Sequence, residues 1–242
     1  MARSVLTFDE LNRLDFEGRR SEEYEEYFSG MGLTKEQERQ RIELAESFEK
    51  ELIPVFAYLN IMRIYGMLDE DDASKKFSDA FLLAVATVIA IDSEFEQLAD
   101  DYGKVVGKAT VEHPDDPWYF SWDRIIFDSE NESETTWNKI DYDDAVMKGK
   151  THKQWISMRD KRVRETHSKV DAVTKRIYEP FLVGESLMMY PKDTSMGADA
   201  SEIVNCRCIA KYFKKSGESF WLAFFNTSPE KDVNTAIIQR RM

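Results

Sequence analysis

Residues 34–62 read TKEQERQRIELAESFEKELIPVFAYLNIM, and this stretch decides how the first part of the chain folds. Thr34 followed by Gln37 is a capping-box pair, which predicts the start of a helix. Apolar residues then recur at steps of three and four, which places them on one helix face. They are Ile42, Ala45, Phe48, Leu52, Phe56, Leu59 and Met62. Because proline lacks an N–H and its ring clashes with the preceding turn, we expect a kink or break at Pro54.

Similar periodicity continues on both sides of this helix. A second helix is predicted after residues 71–74, with apolar positions from Phe77 to Leu98. The short acidic link between the two helices favours an antiparallel hairpin. Upstream, a short helix is expected near residues 8–16.

The helical pattern ends at residues 113–117, which read HPDDP and mark a domain boundary. The aromatic stretch 118–126 favours a strand, and the polar stretch 128–136 is typical of a loop. From Asp141 the pattern predicts a further helix that continues or restarts through residue 174. Short strands and loops are expected after Pro180, including a hairpin around residues 216–217 and a tail at 232–242.

Charge divides the chain into two unlike parts. Residues 1–150 carry 17 basic and 35 acidic side chains, a net charge of −18, whereas residues 151–242 carry 16 and 11, a net charge of +5. An acidic surface repels nucleic acid and anionic membranes, and the mildly basic part is the only one suited to phosphate. This asymmetry indicates two surfaces with different partners.

Cysteine use and hydropathy indicate a reduced, soluble protein. Only Cys206 and Cys208 occur, and with one intervening residue their mutual disulfide would be strained. Two cysteines at this spacing do not form the disulfide framework of a small secreted protein. The apolar run from Phe81 to Ile91 is too short for a membrane span of about 20 residues. The N-terminus lacks the apolar core of a signal peptide, so we expect no membrane partner.

The region from Trp155 to Cys208 carries the most specific pattern. A tryptophan is followed by Asp-x-x-x-Arg-x-x-His, then by a loop with glycine and proline, then by Asn-Cys-Arg-Cys. The residues concerned are Trp155, Asp160, Arg164, His167, Gly184, Pro191, Asn205, Cys206, Arg207 and Cys208. In order and spacing this resembles the phage Mu protein F-like family, also called the phage head-morphogenesis domain. The resemblance covers about residues 119–213. The chain departs from many members by having Val170-Asp171-Ala172-Val173 where they have a glycine.

The resemblance implies a minor structural protein of a tailed-phage head, associated with the portal vertex or head interior. Such a protein acts in head assembly or genome delivery and is not an enzyme. Its implied partners are the portal protein, the major capsid or scaffold protein, and packaged double-stranded DNA. The implied location is the virion head, after assembly in the host bacterial cytoplasm. The alternatives are a DNA-binding ejection protein and a toxin-like enzyme that uses His167, Cys206 and Cys208.

Four roles compete for the motif residues. We expect a structural brace, in which Asp160, Arg164 and His167 share a helix stripe and hold the 184–208 loop. Metal binding by His167 and the two cysteines lacks a fourth ligand, so we expect no metal and no cofactor. Catalysis could use His167 with Asp160 or Glu202 as its carboxylate partner and a cysteine as nucleophile. Contact with nucleic acid would use a basic helix face formed by Lys161, Arg162, Lys169, Lys175 and Arg176.

The predicted fold class is α+β. An acidic helical region over residues 1–112 precedes a compact domain with a long helix and a small β-sheet over residues 113–215. Residues 216–242 are expected to form a C-terminal strand and tail.

Overall fold

A computed structural model describes residues 21–215, and its combination of helices with small antiparallel sheets confirms the α+β class. The chain divides into two compact units between Thr136 and Trp137; we call them the helical unit and the α/β unit. The expected boundary at residues 113–117 instead separates two helices. Predictions for residues 8–16 and for the chain after residue 215 lie outside the described residues.

Between residues 21 and 136, the helical unit contains four helices and the start of a fifth. They are α1 (Ser21–Phe28), α2 (Lys35–Ile64), α3 (Glu70–Val85), α4 (Ser93–Glu112) and α5 (Trp122–Met147), with a 3-10 turn over Pro117–Phe120. The capping box is confirmed. The Gln37 N–H donates to Thr34 Oγ1 over 3.3 Å, and the Thr34 N–H donates to Gln37 Oε1 over 3.1 Å.

Helix α2 continues through Pro54, so the chain does not break there; the alternative expectation, a kink, stays a prediction. Leu52 and Phe56 on either side of the proline are both buried, as are Phe48 and Leu59 further along the same face. An interior proline costs a helix about 3 kcal/mol. Burial of one continuous apolar face offsets that cost, since each large apolar side chain contributes roughly 1.5–3 kcal/mol.

The single helix predicted over residues 74–98 is two helices. Helix α3 ends at Val85, and α4 begins at Ser93, where the Asp92 carboxylate accepts the N–H groups of Glu94 and Phe95 at 3.0 and 3.1 Å. Residues 86–91 between them are mostly apolar. The hydrophobic pattern therefore extends through a segment that is not helical. The Asp92 cap is the feature that marks the start of α4.

Two glycines set how closely α3 and α4 pack. A Cβ atom on Gly103 would lie 2.3 Å from the Ser74 carbonyl oxygen, and one on Gly107 would lie 2.6 Å from the Ser74 nitrogen. Both obstructing atoms belong to the backbone, which cannot rotate away as a side chain would. The four-residue spacing places the two glycines on one face of α4.

We expect Gly103→Ala and Gly107→Ala each to destabilise the helical unit by about 1–3 kcal/mol, the usual cost of overpacking. Alanine has the higher helix propensity by about 1 kcal/mol, so any loss must come from the clash. Val105→Ala serves as the control because Val105 is 60% exposed on the same helix. Urea denaturation followed by circular dichroism measures the effect. Glycine variants as stable as the control would show that the two helices separate at little cost.

The 3-10 turn and helix α5 together replace the strand and loop predicted for residues 118–136. Most polar side chains between Asp128 and Lys139 are buried on it, including Ser129, Ser133 and Glu134. Arg124 pairs with Asp128 over 2.9 Å on the same helix. Because polar residues usually lie at the surface, the sequence favoured a solvated loop. Paired partners are what make burial of these groups tolerable.

The α/β unit contains a three-stranded antiparallel sheet and a separate two-stranded ladder. The sheet has the order β2–β1–β5, with β1 (His152–Ile156), β2 (Thr174–Arg176) and β5 (Ile209–Phe213). The ladder joins β3 (Phe181–Val183) to β4 (Ser186–Met188). The part of this unit that the structure describes also contains the end of α5 and two short helices, α6 (Glu165–Val170) and α7 (Ala200–Ile203). Of the helix predicted over residues 141–174, only the end of α5 and the short helix α6 are helical.

The core of the α/β unit holds part of the sequence motif. Trp155, Cys206 and Cys208 are buried in it together with apolar side chains of β3, β4 and α6. These three motif residues are therefore anchored in the packed interior of this unit. Over residues 21–215, no helix is both long enough and apolar enough to cross a membrane.

Candidate functional site

The motif residues come from several elements of the α/β unit. Trp155 lies on β1, Asp160 and Arg164 lie in the following loop, and His167 lies on α6. The expectation that these four share one helix is wrong. Arg159 adopts the left-handed conformation with a φ of 56°, and the Asp160 carboxylate accepts the Arg162 N–H over 2.9 Å. This local turn keeps the chain out of a helix until Glu165.

His167, Cys206 and Cys208 form a buried group, which we call the His–Cys cluster. His167 Nδ1 lies 3.4 Å from Cys208 Sγ and 3.5 Å from Cys206 Sγ. All three side chains are at most 3% exposed, and both cysteines are thiols rather than a disulfide. The fold thus brings together residues that are about 40 positions apart in the sequence.

Glu202 on α7 completes the surroundings of His167. Its Oε2 lies 3.0 Å from His167 Nε2 and accepts the Thr166 hydroxyl over 2.8 Å. The two ring nitrogens of His167 therefore face different groups, with the sulfurs on one side and a carboxylate on the other. When the ring is neutral, a carboxylate at Nε2 selects the tautomer in which that nitrogen carries the proton and Nδ1 has a lone pair.

Gly184 provides the space that Glu202 occupies. Its φ is 60°, which a side chain disfavours, and a Cβ there would lie 2.6 Å from Glu202 Oε1. The glycine of the motif is thus explained by a contact 18 positions away. Asn205 has a φ of 59°, and Pro191 is buried just before Lys192, which has a φ of 68°. Asn205 lies directly before Cys206, whereas Pro191 and Lys192 lie in the loop between β4 and α7.

Asp160 and Arg164 each contact the segment that contains the cysteines. Arg207 Nη2 donates to both carboxylate oxygens of Asp160, at 2.8 and 3.0 Å. Arg164 Nη2 donates to the Val204 carbonyl oxygen. Together with His167, these contacts tie residues 202–208 to the loop and helix at 160–167. This arrangement is compatible with the brace hypothesis, which stays a prediction.

Electrostatics in the His–Cys cluster favour a thiolate beside the imidazole. Burial alone would raise the pKa of Cys206, but hydrogen bonds with Cys208 and His167 and the charge of Lys192 hold it well below its usual range. Burial alone would lower the pKa of His167, yet Cys206 and the Glu202 carboxylate hold it above its usual value. The thiolate is the form of cysteine that acts as nucleophile or metal ligand.

Chemically, the cluster admits two uses besides bracing. A thiolate, an imidazole and a carboxylate in sequence match the arrangement of nucleophile, base and orienting acid in cysteine hydrolases. Two thiolates and an imidazole nitrogen match the ligand set of a zinc ion. The sequence patterns identified His167 and both cysteines, but Glu202 was considered only as one of two carboxylate partners. No local spacing links Glu202 to Gly184 or His167, so periodicity could not have selected it.

The basic residues proposed for nucleic-acid contact do not form a helix face. Lys161 and Arg162 are exposed in the loop before α6. Lys169 lies on α6, where it pairs with Glu165 over 2.8 Å. Lys175 and Arg176 lie on β2. The predicted helix face is wrong because the chain over residues 161–176 is a loop, a short helix and a strand.

We searched for similar proteins, and no family model, no curated protein and no solved structure matches this chain.

Proposed function

We propose that this chain is a minor structural protein of a tailed-phage head, located at the portal vertex or in the head interior. The proposal rests on the resemblance of residues 119–213 to the phage Mu protein F-like family. The observation that carries it is the convergence of the motif: Trp155, His167, Cys206 and Cys208, spread over the sequence, share one buried core.

Convergence matters because the motif was recognised from order and spacing alone. Residues that match a pattern by chance have no reason to meet after folding. Here Asp160 and Arg164 reach the same 202–208 segment that His167 contacts, and Gly184 makes room for Glu202. Agreement between a sequence pattern and the tertiary contacts supports the view that the pattern specifies this module.

Two observations favour an assembly role over the alternatives. The cavity beside the His–Cys cluster measures about 10 Å3, whereas sites for small-molecule substrates usually measure about 300–1,000 Å3. That disfavours an enzyme whose active site is the His–Cys cluster. The five basic residues proposed for DNA contact lie on three kinds of element, and Lys169 is engaged by Glu165. That disfavours a DNA-ejection role relative to protein–protein assembly.

The test is coexpression of the full chain with the portal protein encoded in the same phage genome. We expect the two to copurify at physiological salt and to coelute in size-exclusion chromatography. A portal protein from an unrelated phage serves as the specificity control. Mass spectrometry of purified virions measures whether the chain is present in the particle. Failure to bind the cognate portal, together with absence from the virion, would contradict the proposal.

A further inference from the structure

The His–Cys cluster has the dimensions of a metal centre. In a tetrahedral zinc site, bonds of about 2.3 Å to sulfur and about 2.0 Å to nitrogen separate those two ligand atoms by roughly 3.5 Å. His167 Nδ1 lies 3.4 and 3.5 Å from the two cysteine sulfurs. The three ligand atoms all lie within 4.8 Å of one another, and all three residues are buried. Both nitrogen–sulfur separations are therefore those expected for ligands that share one zinc ion.

Hydrogen bonding alone accounts less well for this geometry. A ring nitrogen has either one N–H or one lone pair, directed in the plane of the ring, so it forms one good hydrogen bond. Yet two sulfurs lie at nearly equal distances from the same Nδ1 of His167. One ion at the centre of the three atoms would accept an electron pair from the nitrogen and from each sulfur.

The groups around the ligands are those that a zinc histidine requires. Zinc-bound histidines almost always donate their other ring N–H to a carboxylate or carbonyl, which fixes the tautomer and the ring orientation. Glu202 Oε2 takes that position at 3.0 Å from His167 Nε2, and the Thr166 hydroxyl holds the same oxygen. Gly184 leaves the space for the Glu202 carboxylate. The surroundings of His167 thus match those of a zinc-bound histidine, with a carboxylate at the ring nitrogen that would not bind the ion.

The Cys-x-Cys spacing suits two ligands from one short segment. Side chains two residues apart in an extended chain point to the same side. Cys206 and Cys208 both face His167, whereas the intervening Arg207 is bound to Asp160. Arg164 holds the start of this segment through the Val204 carbonyl oxygen. The brace residues therefore fix the position of both sulfurs.

We propose that His167 Nδ1, Cys206 Sγ and Cys208 Sγ bind one Zn²⁺ ion, with a water molecule as the fourth ligand. The expectation of a metal-free pair rested on the missing fourth protein ligand. The small cavity beside the cluster, about 10 Å3 and lined by all three ligands and by Met158, has about the volume that one water needs. The proposal is independent of the phage-head function, and each can fail without the other.

The test uses the full chain, expressed with a histidine-free tag and purified under reducing conditions without chelators. After incubation with zinc and dialysis, we expect elemental analysis to find about one zinc per chain. Cys206→Ser combined with Cys208→Ser should abolish binding, and Glu202→Gln should weaken it by about 10- to 100-fold, as is usual for a supporting carboxylate. His113→Ala is the matched control, since His113 is exposed and lies in the helical unit.

Cobalt provides a readout that needs no variant. Co²⁺ bound by the unaltered chain should give sulfur-to-cobalt charge-transfer absorption and the intense visible bands of a tetrahedral site, and zinc should displace it. The proposal is overturned if the folded, reduced chain binds no zinc, or if cobalt shows no thiolate absorption. It is also overturned if a thiol of the native protein is alkylated rapidly at a rate that zinc does not change, which is the behaviour of a catalytic cysteine.

Discussion

Replacing Arg41 with alanine is expected to destabilise the helical unit by about 3–5 kcal/mol, the usual cost of removing one member of a buried ion pair. Arg41 Nε lies 2.9 Å from Glu134 Oε2, and neither side chain is exposed at all. The Arg41 carbonyl oxygen also accepts the Ser133 hydroxyl over 2.7 Å. Removing the guanidinium would leave the Glu134 carboxylate in a site from which water is excluded.

The measurement is urea denaturation of the two single variants and of an apolar double variant. Arg41→Ala and Glu134→Ala should each be strongly destabilising, whereas Arg41→Met combined with Glu134→Leu should recover most of the loss, because an apolar pair leaves no charge buried. Arg39→Ala is the control: Arg39 is 56% exposed on the same helix and pairs with Glu36 and Glu43, so its loss should cost at most about 1 kcal/mol. Equal effects of Arg41→Ala and Arg39→Ala would contradict this interpretation.

Replacing Trp155 with alanine is expected to destabilise the α/β unit by about 3–5 kcal/mol, as large-to-small changes in a core do. The Trp155 ring is fully buried. It meets the Phe181 ring edge-on at 5.3 Å and the His167 ring edge-on at 5.7 Å. Its loss would therefore open a cavity next to the His–Cys cluster and release the imidazole from one side.

Amide hydrogen exchange read by mass spectrometry can assign this loss to the correct unit. Trp155→Ala should reduce protection in residues 137–215 and leave α2 and α3 protected, whereas Trp155→Phe should cost less. Leu182→Ala is the control, since Leu182 is 58% exposed and lies between two buried residues of β3. If the amides of the α/β unit are equally well protected in Trp155→Ala and in Leu182→Ala, Trp155 is not the core residue that we describe.

The first helical region was predictable because its signals are local. The helix start at Thr34 depends on two residues three positions apart, and the buried face of α2 repeats within every two turns. The class α+β followed from the same kind of pattern and is confirmed. Whether α2 would break at Pro54 could not be predicted, because the continuation of a helix through proline depends on what its two halves pack against.

The order of the motif was also visible in the sequence, but its arrangement in space was not. Trp155, Asp160, Arg164 and His167 have helical spacing, yet the first lies on a strand and the next two in a loop. Trp155 belongs to β1 because it pairs with Ala210 of β5, a partner 55 positions away. Such pairing is a property of the folded sheet, and no short window of sequence contains it.

By itself, then, the sequence determined the helix start at Thr34, the apolar face of α2, the α+β class and the set of motif residues. The tertiary structure alone decided that polar residues 128–139 form a buried helix, since their burial depends on partners such as Arg41. It alone placed Glu202 against His167 and both sulfurs around one ring nitrogen. The physical reason is the same in each case: local spacing sets which side chains share a face, but the energy of a buried charge or thiol depends on groups that are distant in the chain.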